Sequence, residues 1–172
     1  LVDLAQVAAV LESVNGKEGT ILEPLREKKT RPAPLPHCLS SLQKSASARL
    51  GMSAKSVLDV AQSLYEKKLT TYPRTDCRYL PEEQHGEAAS ILSSLAGVSG
   101  LEQLAGKANS SLKSTVWNTK KITAHHAIIP TGEPAESLAG EERALFLLIA
   151  TAYCLQFHPP MRYEAQKIAV AL

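Results

Sequence analysis

The chain has 172 residues, enough for one substantial core or for one domain with parts of another, and its 44% hydrophobic share with mixed charges is that of an ordinary globular protein. No apolar run approaches the roughly 20 residues that cross a bilayer, so no membrane role is indicated and the cytoplasm is the expected location. The net charge of +2 is too small to select a partner, and Cys38, Cys77 and Cys154 form no CxxC pair, so reduced thiols are expected rather than zinc or disulfide chemistry.

In chain order, Leu4, Val7, Ala8, Leu11 and Val14 fall on one helical face and Gly16 follows as a stop, which predicts an amphipathic helix over 2–15. Residues 19–28 favour a strand through Thr20, Ile21 and Leu22, confined to an edge or bulge by Pro24. The charged run 26–31 ends at Pro32, Pro34 and Pro36, read as an extended connector with a domain boundary beside it.

Leu39, Leu42, Ala46 and Leu50 predict a helix closed by Gly51, and Ser53 is placed to cap a second one with a face of Val57, Leu58, Ala61, Leu64 and Tyr65. This is a helix-turn-helix pattern, which serves either DNA binding or simple packing. Pro81 with Glu82 and Glu83 signals another helix start, with Ala88, Ile91, Leu92 and Leu95 carrying its face to about 96. A short helix over 101–108, a strand over 114–122, a long helix over 141–157 stopped by Pro159 and Pro160, and a strand over 162–172 complete the expectations. The fold class is therefore mainly α with small β-sheets, and both ends read as cut from a longer protein.

Two features bear on chemistry. Between Glu102 and Glu133 there is no acidic residue, while Lys107, Lys113, Lys120 and Lys121 lie there with Trp117. That pattern suits either a single-stranded nucleic-acid groove, with lysines on the backbone and a ring for stacking, or a solvated loop. The second feature is the run LTTYPRTDCRYLP at 69–81. Pro73 disfavours helix at Tyr72, and in an extended segment Tyr72, Arg74 and Asp76 share one side. A tyrosine beside a fixed guanidinium suits attack on a phosphodiester, because the cation holds the phosphate and takes up charge on its oxygens.

TTYPRTDCRYLP resembles the active-site signature of type IA DNA topoisomerases, and Pro73 with Cys77 resembles the topoisomerase III branch. AHHAIIPT at 124–131 resembles that family's other core motif, and PLPHCLSSLQKSASAR at 34–49 its approach to the active-site helix pair. The resemblance covers most of the chain and is weakest at 99–117 and 132–141. It implies a helix-turn-helix core of the catabolite-activator type that presents the tyrosine, with 1–31 a stub of the gate or arch domain, 32–160 the tyrosine-bearing domain and 161–172 a returning gate strand.

The resemblance also implies roles. Tyr72 is the nucleophile that joins a 5′ phosphate, Arg74 positions Tyr72 and the scissile phosphate, and His125 contacts that phosphate. His126 and Thr75 are supporting candidates, and Asp76 either orients Arg74 or caps the turn at 75–77. Lys113, Lys120 and Lys121 are the nucleic-acid candidates. Family members use Mg2+ held by carboxylates of a separate Toprim domain, which also supplies a lysine. No DxD cluster occurs here, so no metal ligand is expected in the chain and the piece alone is expected to be inactive. No nucleotide is needed for rejoining, and 100–107 fails the Walker pattern because Ala108 stands where a hydroxyl is required. The implied partners are single-stranded DNA and the Toprim and gate domains of a monomeric parent. The rivals are a helix-turn-helix regulator reading DNA with 53–67 and a non-catalytic, topoisomerase-derived interaction domain.

Overall fold

Helices form where the sequence supplies an apolar stripe together with its own caps. In the computed structural model of the chain, which describes residues 3–171, Asp3 caps α1 (Leu4–Val14) by accepting from the Ala5 N–H at 2.9 Å. The expected helix start at Val2 and strand end at Leu172 lie outside the described residues. The chain divides into two units, Leu1–Arg31 with Met161–Leu172 in one and Pro32–Pro160 in the other.

In the first unit the apolar positions of α1 face solvent, Leu4 being 80% exposed. β1 (Thr20–Ile21) pairs antiparallel with β4 (Val170–Ala171), and β2 (Leu25–Arg31) pairs antiparallel with β3 (Met161–Lys167). The charged run expected to lead into a connector is thus most of β2, and the strand expected over 19–28 breaks around Pro24. Opposite charge across the ladder explains why so polar a run pairs. Lys28 lies opposite Glu164, and the Arg26 guanidinium stands 3.7 Å from the same carboxylate.

The second unit holds α2 (Leu39–Leu50), α3 (Ala54–Glu66), α4 (Ala88–Ala96), α5 (Glu102–Gly106) and α6 (Gly140–Cys154). Leu42 and Ala46 of α2, Val57, Ala61 and Leu64 of α3, and Leu145, Phe146 and Ile149 of α6 are buried in one apolar core with Phe157. Gly51 ends α2 at φ +68°, the left-handed region where a side chain is strained. Ser53 caps α3 by accepting from the Ser56 N–H at 3.1 Å. Ser53→Ala is expected to cost about 1 kcal/mol, measured by urea unfolding. α3 is tied to α6 by polar bonds: Ser56 Oγ donates to Glu141 at 3.1 Å, and Ser63 Oγ and Lys67 Nζ each donate to Glu142 at 2.7 Å.

Three expectations change. Pro81 precedes rather than begins a helix, since Glu82–Glu87 forms a 3-10 turn before α4. Residues 114–122 make no strand. Val116 and Trp117 are buried, Trp117 forms a single bridge to Leu80, and Thr119–Lys121 is a 3-10 turn. The long helix stops at Cys154, and Leu155–Phe157 continues as a 3-10 turn. The described residues are mainly helical with two small two-stranded sheets, and no described helix is long and apolar enough to cross a membrane.

Candidate active site

The segment carrying Tyr72 leaves α3 through Lys68, which adopts φ +62° so that the chain can reverse. Its carbonyl accepts from Thr131 Oγ1 at 2.6 Å. The chain then runs beside residues 127–131 without forming a regular strand. Thr71 N–H donates to Ile129 O at 2.9 Å and Thr131 N–H to Leu69 O at 3.1 Å, with one bridge between Thr70 and Pro130. Thr71 also clasps the partner segment through its side chain, donating to Ala127 O and accepting from Ile129 N–H, both at 3.0 Å. These bonds bring two motifs more than fifty residues apart into one ribbon pair.

Along the ribbon, Pro73, Thr75 and Cys77 are buried, whereas Tyr72 is half-buried and Arg74 and Asp76 are exposed. That alternation puts the phenol and the guanidinium on the open side. The ring of His125 lies 4.5 Å from that of Tyr72, centroid to centroid, and Tyr65 meets Tyr72 edge-on at 5.5 Å. Tyr72 is thus flanked by two aromatic rings and opens onto a hollow of about 540 Å³ lined by Tyr65, Lys68, Thr71, Thr131 and others. Helical periodicity assigned Tyr65 to an apolar face, yet it is 40% exposed and supports Tyr72. Thr71 and Tyr65 are the site residues that spacing alone did not single out. The only signal for Thr71 was its place beside Tyr72 in the motif.

The remaining candidates sort by their contacts. Thr75 Oγ1 accepts from Cys77 N–H at 3.1 Å and donates to His125 O at 3.4 Å, so the turn at 75–77 is closed by Thr75. Asp76 makes neither of its two expected interactions among the described residues: no ion pair with Arg74 forms, and the cap is already taken. His126 points elsewhere, its Nδ1 2.9 Å from Ala127 O and its Nε2 3.4 Å from Gln84 Nε2. Trp117 cannot stack on a base, being 5% exposed with its ring 4.9 Å from that of His85. Lys113 pairs with Glu82 at 3.1 Å, and Lys121 donates to Tyr79 Oη at 3.0 Å while standing over its ring. Lys120 is exposed on the 3-10 turn. Among the described residues no group of three or more His, Cys, Asp or Glu side chains is placed to hold a metal ion.

The ribbon is fixed from behind. Arg78 donates through Nε to Pro36 O at 2.8 Å and through Nη2 to Leu35 O at 2.7 Å, and Leu39 N–H donates to Thr75 O at 3.0 Å. His37, bridged to Ile128, sits behind it with its pKa lowered to about 4 by burial, then by Arg78 and Arg49. The unfolded chain therefore takes up a proton near pH 6.5 that the folded chain refuses until about pH 4. Stability from His37 is complete above that window and is lost as pH falls through it, to the extent of roughly 3 kcal/mol. His37→Phe is expected to flatten the stability curve between those pH values, read by urea unfolding at a series of pH. All three cysteines are free and buried, and burial pushes the Cys154 thiol up to about 12.

The family model described as DNA topoisomerase matches residues 2–172. DNA topoisomerase 3 of Vibrio cholerae is 41% identical over 92% of this chain and 25% of its own length, and that of Haemophilus influenzae 44% over 89% and 24%. DNA topoisomerase 3 of Bacillus subtilis is 36% identical over 92% of the chain and 23% of its own. The chain thus spans about a quarter of these relatives. Full-length topoisomerase I from Thermotoga maritima superposes with a TM-score of 0.67 at 23% identity, over 95% of this chain and 27% of that one, a likeness of fold.

Proposed function

Since this chain belongs to the type IA DNA topoisomerase family and is homologous to bacterial DNA topoisomerase 3, we propose that it carries the tyrosine half of an active site that breaks and rejoins one DNA strand. The observation that carries this reading is the contact of the tilted Tyr72 and His125 rings, 4.5 Å apart, on the open side of the ribbon that also presents Arg74.

The step balances as a transesterification. Tyr72 Oη attacks the scissile phosphorus and gives up its proton, the P–O3′ bond breaks, and the departing 3′ oxygen takes a proton to become a hydroxyl. The DNA's 5′ phosphate is left on Tyr72. Arg74 and His125 hold the non-bridging oxygens as charge builds on them. Thr75, bonded to the His125 carbonyl, keeps that histidine beside the ribbon. Because one phosphoester replaces another, attack by the 3′ hydroxyl reverses the step without ATP.

The rest of the machinery belongs to the parent protein. Residues 1–31 and 161–172 contribute to a gate or arch domain, and 32–160 form the catalytic domain, with the helix-turn-helix of α2 and α3 presenting the tyrosine. A Toprim domain supplies Mg2+ ligands and a lysine. Lys120 meets the strand, and Lys113 and Lys121 join it by giving up exposed, weak pairings. The whole works as a cytoplasmic monomer on single-stranded DNA. The regulator alternative requires α3 as a free recognition helix, and its ties to Glu141 and Glu142 on α6 weigh against that.

The test mixes the chain with a Toprim-containing part of a bacterial topoisomerase III, Mg2+ and end-labelled single-stranded DNA. Label is expected on the chain in a denaturing gel only when all are present. Tight duplex binding with no label transfer under any mixture would favour the regulator.

A further inference from the structure

A groove of about 660 Å³ lies between α2 and α6 and shares no lining residue with the hollow at Tyr72. Lys44 and Arg49 of α2 and Arg78 behind the ribbon line one side, and Leu147 and Leu148 of α6 line the other. No aspartate or glutamate lines it, and none of the three cations is in an ion pair among the described residues. Arg78 is held in place by its bonds to the Leu35 and Pro36 carbonyls.

We propose that this groove is a second binding site for a DNA strand, with phosphates on Arg49, Lys44 and Arg78 and a base laid against Leu147 and Leu148. The choice of DNA over other anions rests on the function proposed above; the site itself rests on the lining. Three cations with no carboxylate among them create a positive field that a phosphodiester backbone neutralises. An inorganic anion has no use for the leucine wall, whereas a nucleobase covers it.

His37 lines the same groove and reports on it. Burial is the main cause of its lowered pKa and Arg78 and Arg49 add to it, so a phosphate bound to those guanidinium groups offsets their part of the effect.

The experiment follows the His37 imidazole by NMR in the 172-residue chain, titrated with a short oligothymidylate. Saturation is expected to raise the His37 midpoint from about 4 by at least about 1 pH unit. Lys44→Glu with Arg49→Glu, both at exposed positions, is expected to weaken the affinity read at His37 by roughly tenfold or more. Circular dichroism and the unfolding midpoint of the double variant separate lost binding from lost fold. Inorganic phosphate at the same concentration is expected to leave His37 where it was.

A His37 signal that stays still at saturating oligothymidylate would overturn the proposal. So would an equal response to inorganic phosphate, or a tighter one to an oligoglutamate peptide. None of these readouts depends on Toprim or on strand cleavage, so the second site and the tyrosine chemistry fail or stand separately.

Discussion

Replacing Tyr72 by phenylalanine is expected to remove all covalent transfer of DNA to the chain while leaving its stability within about 0.5 kcal/mol of the parent. The two halves of that expectation come from the same geometry. The Tyr72 ring is flanked by Tyr65 at 5.5 Å and His125 at 4.5 Å, and phenylalanine keeps both contacts. The hydroxyl makes no hydrogen bond among the described residues, so the fold does not depend on it. If Tyr72 is the nucleophile, loss of one oxygen deletes the reaction and nothing else. Adduct yield on a denaturing gel, with unfolding midpoints run beside it, reads both halves. A binding module would tolerate the change in every assay.

Arg74→Ala is expected to slow adduct formation by about 10² to 10³ at saturating DNA, in line with losing one charge-stabilising donor from a transition state. Arg74 is exposed and bonds to no other described residue, so truncation leaves no orphaned partner in the fold. Arg74→Lys should recover only part of the rate, because an ammonium restores the charge but not the two parallel donors that match a phosphate. Single-turnover kinetics on the Toprim-reconstituted protein separate this from weaker binding. Equal rates for Arg74, alanine and lysine would remove Arg74 from the chemistry.

Much of the fold was readable residue by residue wherever a stripe and a cap coincide. α2, α3 and α6 follow from leucine and alanine spacing, Gly51 and Ser53. What escaped depends on partners distant in sequence. β2 escaped because its run of charges becomes a strand only opposite β3, where Glu164 faces Lys28. The strand expected over 114–122 does not form because its apolar residues Val116 and Trp117 are buried in the core, Trp117 against His85 and Phe157. That burial also removes the base-stacking role suggested by a tryptophan among lysines.

The candidate site divides in the same way. Extended alternation at 72–76 was legible from Pro73 and side-chain period alone. The contact with His125 was not, because it is made by Thr71 bonding across to Ala127 and Ile129 in a segment with no periodic signal of its own. Only the resemblance of the two motifs to one family linked them in advance. Asp76 shows the limit of local chemistry: an aspartate beside an arginine invites an ion pair, yet Thr75 closes the turn and leaves Asp76 in solvent, where such a pairing is worth little.

The most direct measurement digests the DNA-linked chain with protease and nuclease and locates the remaining nucleotide by mass spectrometry. The expected result is a 5′-phosphoryl nucleotide on the peptide that contains Tyr72, attached through its phenolic oxygen. A nucleotide found on any other residue, or one attached through its 3′ end, would contradict the account.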